Sequence, residues 1–568
     1  MTMLRRAFRA VSAVLAVLAL TAAAQLAGAL PAAAVVYVPI TGAGSTWSSN
    51  AIDQWASNVK QYGITVNFTA NGSTAGRNQF ASGLLDFGIS EIAYGKDDAG
   101  ASEAKPKFKY AYMPIVAGGT AFMYNLEVGG KRVTNLRLSG DTVAKIFTNA
   151  ITYWNDPVIK ADNPGLALPA RKIVPVVRSD GSGTTAQLTT WMKARYPALW
   201  DAYCAKAGRA TPCGVTSLYP TIPGSAMTAQ SGSQNVSGYV AQKSSVGAIT
   251  YVEYSYARNA RFPVAKIRNA KDFYVEPTAK SVAVALLAAK INNNESSTDY
   301  LTQDLNGVYA YDDPRTYPLS SYSYMLVPTV QTDRFTTTKG QTLGAFAYYF
   351  LCEGQQQADE LGYSPLPKNL VEAGMEQIRK VPGVTVKDIN LSGCHNPTFS
   401  KDGSNTLAKN APYPQACDKV GPTQCTTGTG GATAQTPTSG GGKTGTGTGS
   451  SSGSGTGSGS GSGTGTGGKT GTGTKTGTGA AAGGTGGNTS NGGVTGGGGA
   501  VDPDTGLAVG GSGGGTGVDS ALAVPVPVGV QIDSTLRTVL IAVACALLVG
   551  LTVGPPLIAR MLQRGGKR

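Results

Sequence analysis

Val35-Val36-Tyr37-Val38-Pro39-Ile40-Thr41-Gly42-Ala43-Gly44-Ser45-Thr46, with the segment that follows it, decides the fold class. The apolar, β-branched run Val35–Ile40 reads as a strand, Thr41–Thr46 as a glycine-rich turn, and Trp47–Tyr62 as a helix. Ile64-Thr65-Val66-Asn67-Phe68 reads as a second strand, and Asn71-Gly72-Ser73-Thr74-Ala75-Gly76 as a second small polar turn. Strand, glycine turn, helix, strand is the βαβ unit, which predicts an α/β protein with parallel-type sheets covered by helices on both faces. In such sheets ligands sit beyond the carboxyl ends of strands, where helix N-termini offer unpaired amides.

A third stretch has the same chemistry. Arg178-Ser179-Asp180-Gly181-Ser182-Gly183-Thr184 is followed by Thr185–Arg195, which reads as a helix. Its glycines let the backbone turn tightly and approach a ligand. Ser182 and Thr184 put hydroxyls and N–H groups at the positive end of that helix. Arg178 adds a planar charged fork that Asp180, two residues on, can hold in place. Thr41–Thr46, Gly72–Gly76 and Gly181–Thr184 are therefore three candidate anion contacts of one kind. A phosphate ion in a water-poor cleft needs many donors for its oxygens and one acceptor for its proton. A carboxylate supplies that acceptor and repels ionised sulfate, which has no proton to give. Asp86-Phe87-Gly88-Ile89-Ser90-Glu91 offers such a group, Glu91, just after a short strand.

Thr41–Trp47, Gly72–Gly76, Asp86–Glu91 and Arg178–Thr184 occur in the order seen in phosphate-binding proteins of the phosphate-specific ABC importer, which this chain resembles. Tyr153-Trp154-Asn155-Asp156, Asn163-Pro164-Gly165-Leu166, the run Gly247–Tyr254 and Tyr317-Pro318-Leu319 share that order, so the resemblance covers 35–379. It implies a two-lobed fold of the periplasmic-binding-protein type II class within 35–385. Lobe one would comprise 35–116 and 252–385, lobe two 117–251, with a hinge near Ala117 and Tyr251. The resemblance also implies roles. Thr46 and Trp47 would offer backbone N–H groups and the threonine hydroxyl, and Ser73 would donate from the second turn. Arg178 would pair with the ion while Asp180 orients it, and Ser182, Gly183 and Thr184 would complete the cradle. Glu91 stands where the family usually has aspartate, and Trp47 where it usually has phenylalanine. The added methylene of Glu91 shifts the carboxylate by more than about 1 Å unless the side chain folds back, and a hydrogen bond tolerates little misplacement. The function implied is capture of inorganic phosphate by a monomer, with delivery to the permease of an ABC importer.

Composition divides the rest of the chain. Residues 1–34 read as a secretory signal: Arg5, Arg6 and Arg9, then the apolar Val11–Leu20, then Ala32-Ala33-Ala34 at the cleavage site. Residues 426–537 are mostly Gly, Thr and Ser to about Gly517, a solvated, disordered linker that can bury no core. Its random-coil reach is roughly 50–60 Å for about 100 residues. Residues 538–559 are almost wholly apolar and long enough to form a C-terminal transmembrane helix. Arg560, Arg564, Lys567 and Arg568 in the tail 560–568 would keep that end in the cytoplasm, with the bulk anchored on the outer face of the cell membrane.

Six cysteines, Cys204, Cys213, Cys352, Cys394, Cys417 and Cys425, fall on the exported side, the last three in an extension at 386–425. Their even number suggests disulfides, and sequence proximity favours 204–213, 352–394 and 417–425. Cys545 falls in the apolar segment, and no cysteine has zinc-ligand spacing. The formal charge of +14 does not point to nucleic acid. More than half of it resides in Arg5, Arg6, Arg9, Arg537 and the four tail residues, and no basic run is interleaved with aromatics.

An enzyme is the rival class. Gly181-Ser182-Gly183 lacks the spacing of a nucleophile elbow, and the single histidine, His395, lies beyond the region of resemblance. Clustered metal ligands for a phosphatase are absent from the sequence pattern, so neither catalysis nor a cofactor is expected. The alternatives within binding are a tethered surface protein that reuses the fold for adhesion or phosphate sensing, and a binder of another tetrahedral oxyanion.

Overall fold

The computed structural model describes residues 36–97, 103, 105–387 and 391–432. The signal segment 1–34, the linker beyond 432, the apolar segment 538–559 with Cys545 and the tail 560–568 lie outside the described residues. Among the described residues no helix is long and apolar enough to cross a membrane.

Eight strands form one sheet: β1 (Ile40–Gly44), β2 (Val66–Thr69), β3 (Phe87–Ser90), β4 (Tyr110–Tyr124), β5 (Val174–Arg178), β6 (Thr228–Gln230), β7 (Ala248–Glu253) and β8 (Ser320–Pro328). Their order is β2-β1-β3-β8-β4-β7-β5-β6. β1 runs parallel to β2 and β3, and β5 runs parallel to β6 and β7, as βαβ units require. The sheet as a whole is nevertheless mixed, which corrects the expectation of parallel-type sheets. β8 is antiparallel to both β3 and β4, and β7 is antiparallel to β4.

The reason lies in β4, whose 15 residues serve two halves of the sheet. From Tyr110 to Gly119 it pairs with β8, and from Thr120 to Tyr124 with β7. The expected crossings near Ala117 and Tyr251 thus fall inside β4 and β7 rather than in loops. A small sheet places Lys266–Arg268 parallel to Arg137–Leu138 and antiparallel to Tyr274–Val275. The chain as far as Val275 therefore packs with the half that carries β5 to β7.

The first strand also differs from its reading. Val36 is 78% exposed and lies before the strand, which starts at Ile40 and takes in the glycine-rich segment to Gly44. β1 lies between β2 and β3, where space decides more than β propensity. A Cβ on Gly42 would fall 2.1 Å from the Phe87 ring, so only a residue without a side chain fits beneath that aromatic.

Helix α1 (Ser49–Val59) turns its apolar face to this half of the core and buries Ile52, Trp55 and Val59. Trp55 stacks on Phe350 at 5.2 Å and donates its indole N–H to the Gly354 carbonyl at 3.0 Å. Trp55→Ala removes both the burial and the hydrogen bond. It is expected to lower stability by about 3–5 kcal/mol, measured as the shift in a denaturant midpoint.

Among the described residues the disulfides are Cys204–Cys213, Cys352–Cys394 and Cys417–Cys425, the pairs that sequence proximity favours. Cys352–Cys394 fastens the extension to the end of helix Thr337–Leu351.

Candidate functional site

Four helices begin beyond the carboxyl ends of strands and point their first turns at one region. α1 follows β1, α2 (Ser73–Ala81) follows β2, α3 (Gly183–Arg195) follows β5, and α4 (Gly232–Ala241) follows β6. Among the described residues no side chain caps α1, α2 or α4, and the first amides of a helix have no carbonyl of their own helix to pair with. At α3 the Ser182 hydroxyl accepts the Thr185 N–H at 3.2 Å, as an N-cap. The helix ends bring positive partial charge to the region without a mobile cation.

Glu91, one residue past β3, has less than 2% of its surface exposed and faces this region. Ser73 donates its hydroxyl to Glu91 Oε2 at 2.8 Å, and Ser323 on β8 donates to Oε1 at 2.9 Å. Gln187 on α3 donates to the Glu91 carbonyl at 2.8 Å. Burial pushes the Glu91 carboxyl above the usual range, opposed by hydrogen bonds from Ser45, Ser73 and Ser323 and by the Arg178 charge. Each carboxylate oxygen has lone pairs left over, so the group can still accept a proton-bearing ligand oxygen. The longer arm of glutamate is accommodated between the two serines and against the backbone of α3. A Cβ on Gly183 would lie 1.9 Å from Glu91 Oε2 and 2.6 Å from Ser73 Oγ. Only glycine permits that approach. The Gly183 N–H itself donates to Ser73 Oγ at 3.0 Å, a bond between the two halves of the molecule.

Arg178 closes β5 and is almost completely buried. Its Nε donates to Asp180 Oδ1 at 2.7 Å and its Nη2 to Asp180 Oδ2, a two-point pairing that fixes the plane of the guanidinium. Asp180 is held in turn by the Gly232 N–H at 2.9 Å. The remaining Nη1 reaches Ser233 Oγ at 3.3 Å, and that hydroxyl lies 2.7 Å from Thr46 Oγ1. Tyr251 on β7 supports the loop from beneath, accepting the Arg178 N–H at 3.2 Å and pairing with the Thr185 hydroxyl at 2.7 Å.

All of the sequence-selected residues gather here except for the ring of Trp47. That ring points into the core, 5.7 Å from the Tyr363 ring, and the Trp47 N–H donates to Ser45 Oγ at 2.9 Å. The Tyr256 and Tyr363 hydroxyls donate to the Thr46 and Trp47 carbonyls at 2.5 and 2.6 Å, turning those oxygens away from the region. Among the described residues the buried Thr184 hydroxyl has no hydrogen-bond partner, a donor available to a ligand. Among the described residues no group of three His, Cys, Asp or Glu could hold a metal ion.

Sequence reading missed Ser233, Ser323, Gln187 and Tyr251. Ser233 had a usable signal, because Gly232-Ser233 at the start of α4 repeats the Gly72-Ser73 pair at the start of α2. Ser323 had none, being one serine within a strand whose residues are all buried.

One guanidinium faces two carboxylates, Glu91 and Asp180, among neutral donors. Such an arrangement can hold a tetrahedral anion through amides and hydroxyls, and it favours an anion that still carries a proton.

A family model described as a PBP superfamily domain matches residues 21–353, more than half of the chain. Phosphate-binding protein PstS 3 of Mycobacterium tuberculosis is 31% identical over 331 residues, covering 58% of this chain and 82% of the relative. Phosphate-binding protein PstS of Xylella fastidiosa is 32% identical over 336 residues, covering 59% and 83% respectively. A solved phosphate-binding protein from Stenotrophomonas maltophilia has a TM-score of 0.45 and 17% identity, covering 65% of this chain and 99% of its own. Both the family match and the extent of the likeness to the PstS proteins lead to one conclusion: the chain belongs to the PBP superfamily, in the family of PstS phosphate-binding proteins.

Proposed function

We propose that this protein is the solute-binding component of a phosphate importer, which captures one inorganic phosphate ion between its lobes and presents it to the permease of an ABC transporter. The observation that carries the reading is the cradle itself: Arg178 held flat by Asp180, Glu91 as acceptor, and an unpartnered Thr184 hydroxyl among helix N-termini. In this reading Arg178, the Thr46, Ser73 and Ser182 hydroxyls, the Thr184 hydroxyl and the first amides of α1 and α3 donate to the ion, the Trp47 and Gly183 N–H groups among them. Asp180 orients, and Glu91 takes the proton. On binding, bonds that those groups make with one another would be exchanged for bonds to the ion. The role is binding rather than catalysis, in keeping with the relatives named above.

The membrane-flanking segments complete the proposal. Residues 1–34 would direct export, and 538–559 would anchor the protein to the outer face of the membrane through the linker, which begins only after 432 because Thr429 is buried and donates to the Thr134 carbonyl. Release of a chain cut after 537 into the medium, with the full chain retained in the membrane fraction, tests the anchor. Retention of the cut chain in the membrane would refute it.

The test of the binding reading is calorimetric titration of the stripped protein with phosphate and then sulfate. Saturable phosphate binding with little sulfate binding is expected. Absence of binding to both would overturn the reading. Glu91→Gln is expected to narrow the preference for phosphate over sulfate by about tenfold or more, since the amide no longer repels a fully ionised anion and can donate to it. An unchanged ratio of the two affinities would exclude Glu91 as the acceptor.

A further inference from the structure

We propose that residues 391–432 form a strap across the two lobes, one that favours the closed arrangement and slows release of the bound ion. The proposal rests on the reading that phosphate is held by lobe closure.

The first part of the segment is fastened to lobe one. Cys394 is bonded to Cys352, and Asn396 and Thr398 both donate to the Leu366 carbonyl, at 3.1 and 2.8 Å. Leu407 and Ala408 pack on Ala279, Ala283 and Val284. Arg315 donates to the carbonyls of Ala408 and Ala411 at 3.1 and 3.3 Å.

The last part is fastened to the other half. Arg137, itself buried, donates to the carbonyls of Cys417 and Thr423 at 3.1 and 3.0 Å, on either side of the loop closed by Cys417–Cys425. Asn135 donates to the Cys425 carbonyl at 2.6 Å, and Gln424 donates back to the Asn135 carbonyl at 2.8 Å. Lys266 pairs with Asp418 at 2.7 Å, and the Thr429 N–H donates to the Thr134 carbonyl at 3.1 Å. These partners share the small sheet and loops beside β7 and β5, not the half that carries β1 to β3.

Between the two docked parts lies Pro412-Tyr413-Pro414. Its prolines fix their own backbone angles, and Tyr413 lies over the Arg315 guanidinium, 4.9 Å from the ring centroid. The chain from Ala411 to Cys417 can extend by no more than about 20 Å, and its turn at Ala416–Asp418 uses part of that reach. The chain otherwise crosses between the halves through β4 and the return segment after Val275, where Asn269 also donates to the carbonyls of Pro314 and Thr316 at 2.8 and 3.1 Å. The strap is a third crossing. When the lobes part, either this crossing must straighten or one docked end must peel away, so bonds that fit the closed arrangement are lost on opening.

The test lengthens the crossing without touching either docked end. A Gly-Ser-Gly-Ser-Gly-Ser insertion after Tyr413 is made in the full chain, and phosphate dissociation is followed by stopped flow. Dissociation on the order of tenfold faster, with an unchanged thermal midpoint, is expected. Spin labels at the exposed positions Lys60 and Ala194, one in each lobe, report lobe separation without any ligand. The insertion should extend that distance distribution toward longer values. Unchanged distances together with an unchanged dissociation rate would overturn the strap. If the parent binds no phosphate but the insertion still widens the distances, the restraint on the lobes stands and the phosphate reading falls instead.

Discussion

Arg178→Ala is expected to weaken phosphate binding by about two to three orders of magnitude, the effect of losing a charged, two-point donor in a water-poor site. The side chain does two things at once. Its Nη1 edge faces the cradle beside Ser233 and Thr46, while Nε and Nη2 neutralise Asp180. Removing it leaves Asp180 and Glu91 as two partly or fully buried carboxylates with no guanidinium between them. Breaking a buried pair costs about 3–5 kcal/mol, so the variant should also unfold at lower denaturant. Arg178→Lys separates the two effects. It keeps a cation near Asp180 but loses the fork, so most of the stability should return while most of the affinity does not. Calorimetric titration of both variants against the parent measures this. An affinity within a factor of about three of the parent for Arg178→Ala, smaller than one ordinary hydrogen bond, would remove Arg178 from the site.

Gly183→Ala carries the second large effect, and for a steric reason. The new methyl group would occupy the position now held by the Glu91 carboxylate, 1.9 Å from Oε2, with the Ser73 hydroxyl 2.6 Å away. Neither neighbour can retreat easily, since Glu91 is held by Ser323 on its other oxygen and Ser73 lies at the start of α2. The clash is between halves of the molecule, so the variant can relieve it by failing to close. Phosphate affinity is therefore expected to fall by about a hundredfold or more while the unfolding free energy changes by less than about 1 kcal/mol, because parting of the lobes relieves the clash. Small-angle scattering should show the variant remaining open at phosphate concentrations that compact the parent. A variant that closes and binds normally would mean that Glu91 leaves this position when the ion enters.

Some of this was written in short stretches of chain. Ser182 caps α3 and Asp180 grips Arg178 because the partners are three or fewer residues apart, so spacing alone specifies the geometry. The disulfides 204–213 and 417–425 close short loops, and sequence proximity sufficed to pair them. The start of β1 was misread because the contact that decides it is not local. β-branched residues favour strands on average, but the space beneath Phe87 admits only glycine, and Phe87 lies 45 positions away from Gly42.

By itself, then, the sequence determined the α/β class, the three small polar turns, the acid after β3 and the arginine with its orienting aspartate, because each depends on backbone chemistry within a few residues. Tertiary structure decided the rest. Ser323 meets Glu91 across 232 positions and Ser233 meets Thr46 across 187, and no periodicity or turn signal spans such distances. The mixed sheet follows from the single strand β4 changing partners midway, from β8 to β7. The course of 391–432 over both halves is set by carbonyls that Arg137, Arg315 and Asn135 find only once the sheet has formed. Local pattern fixes which groups can bind an anion; the packing of distant segments fixes which of them face one another.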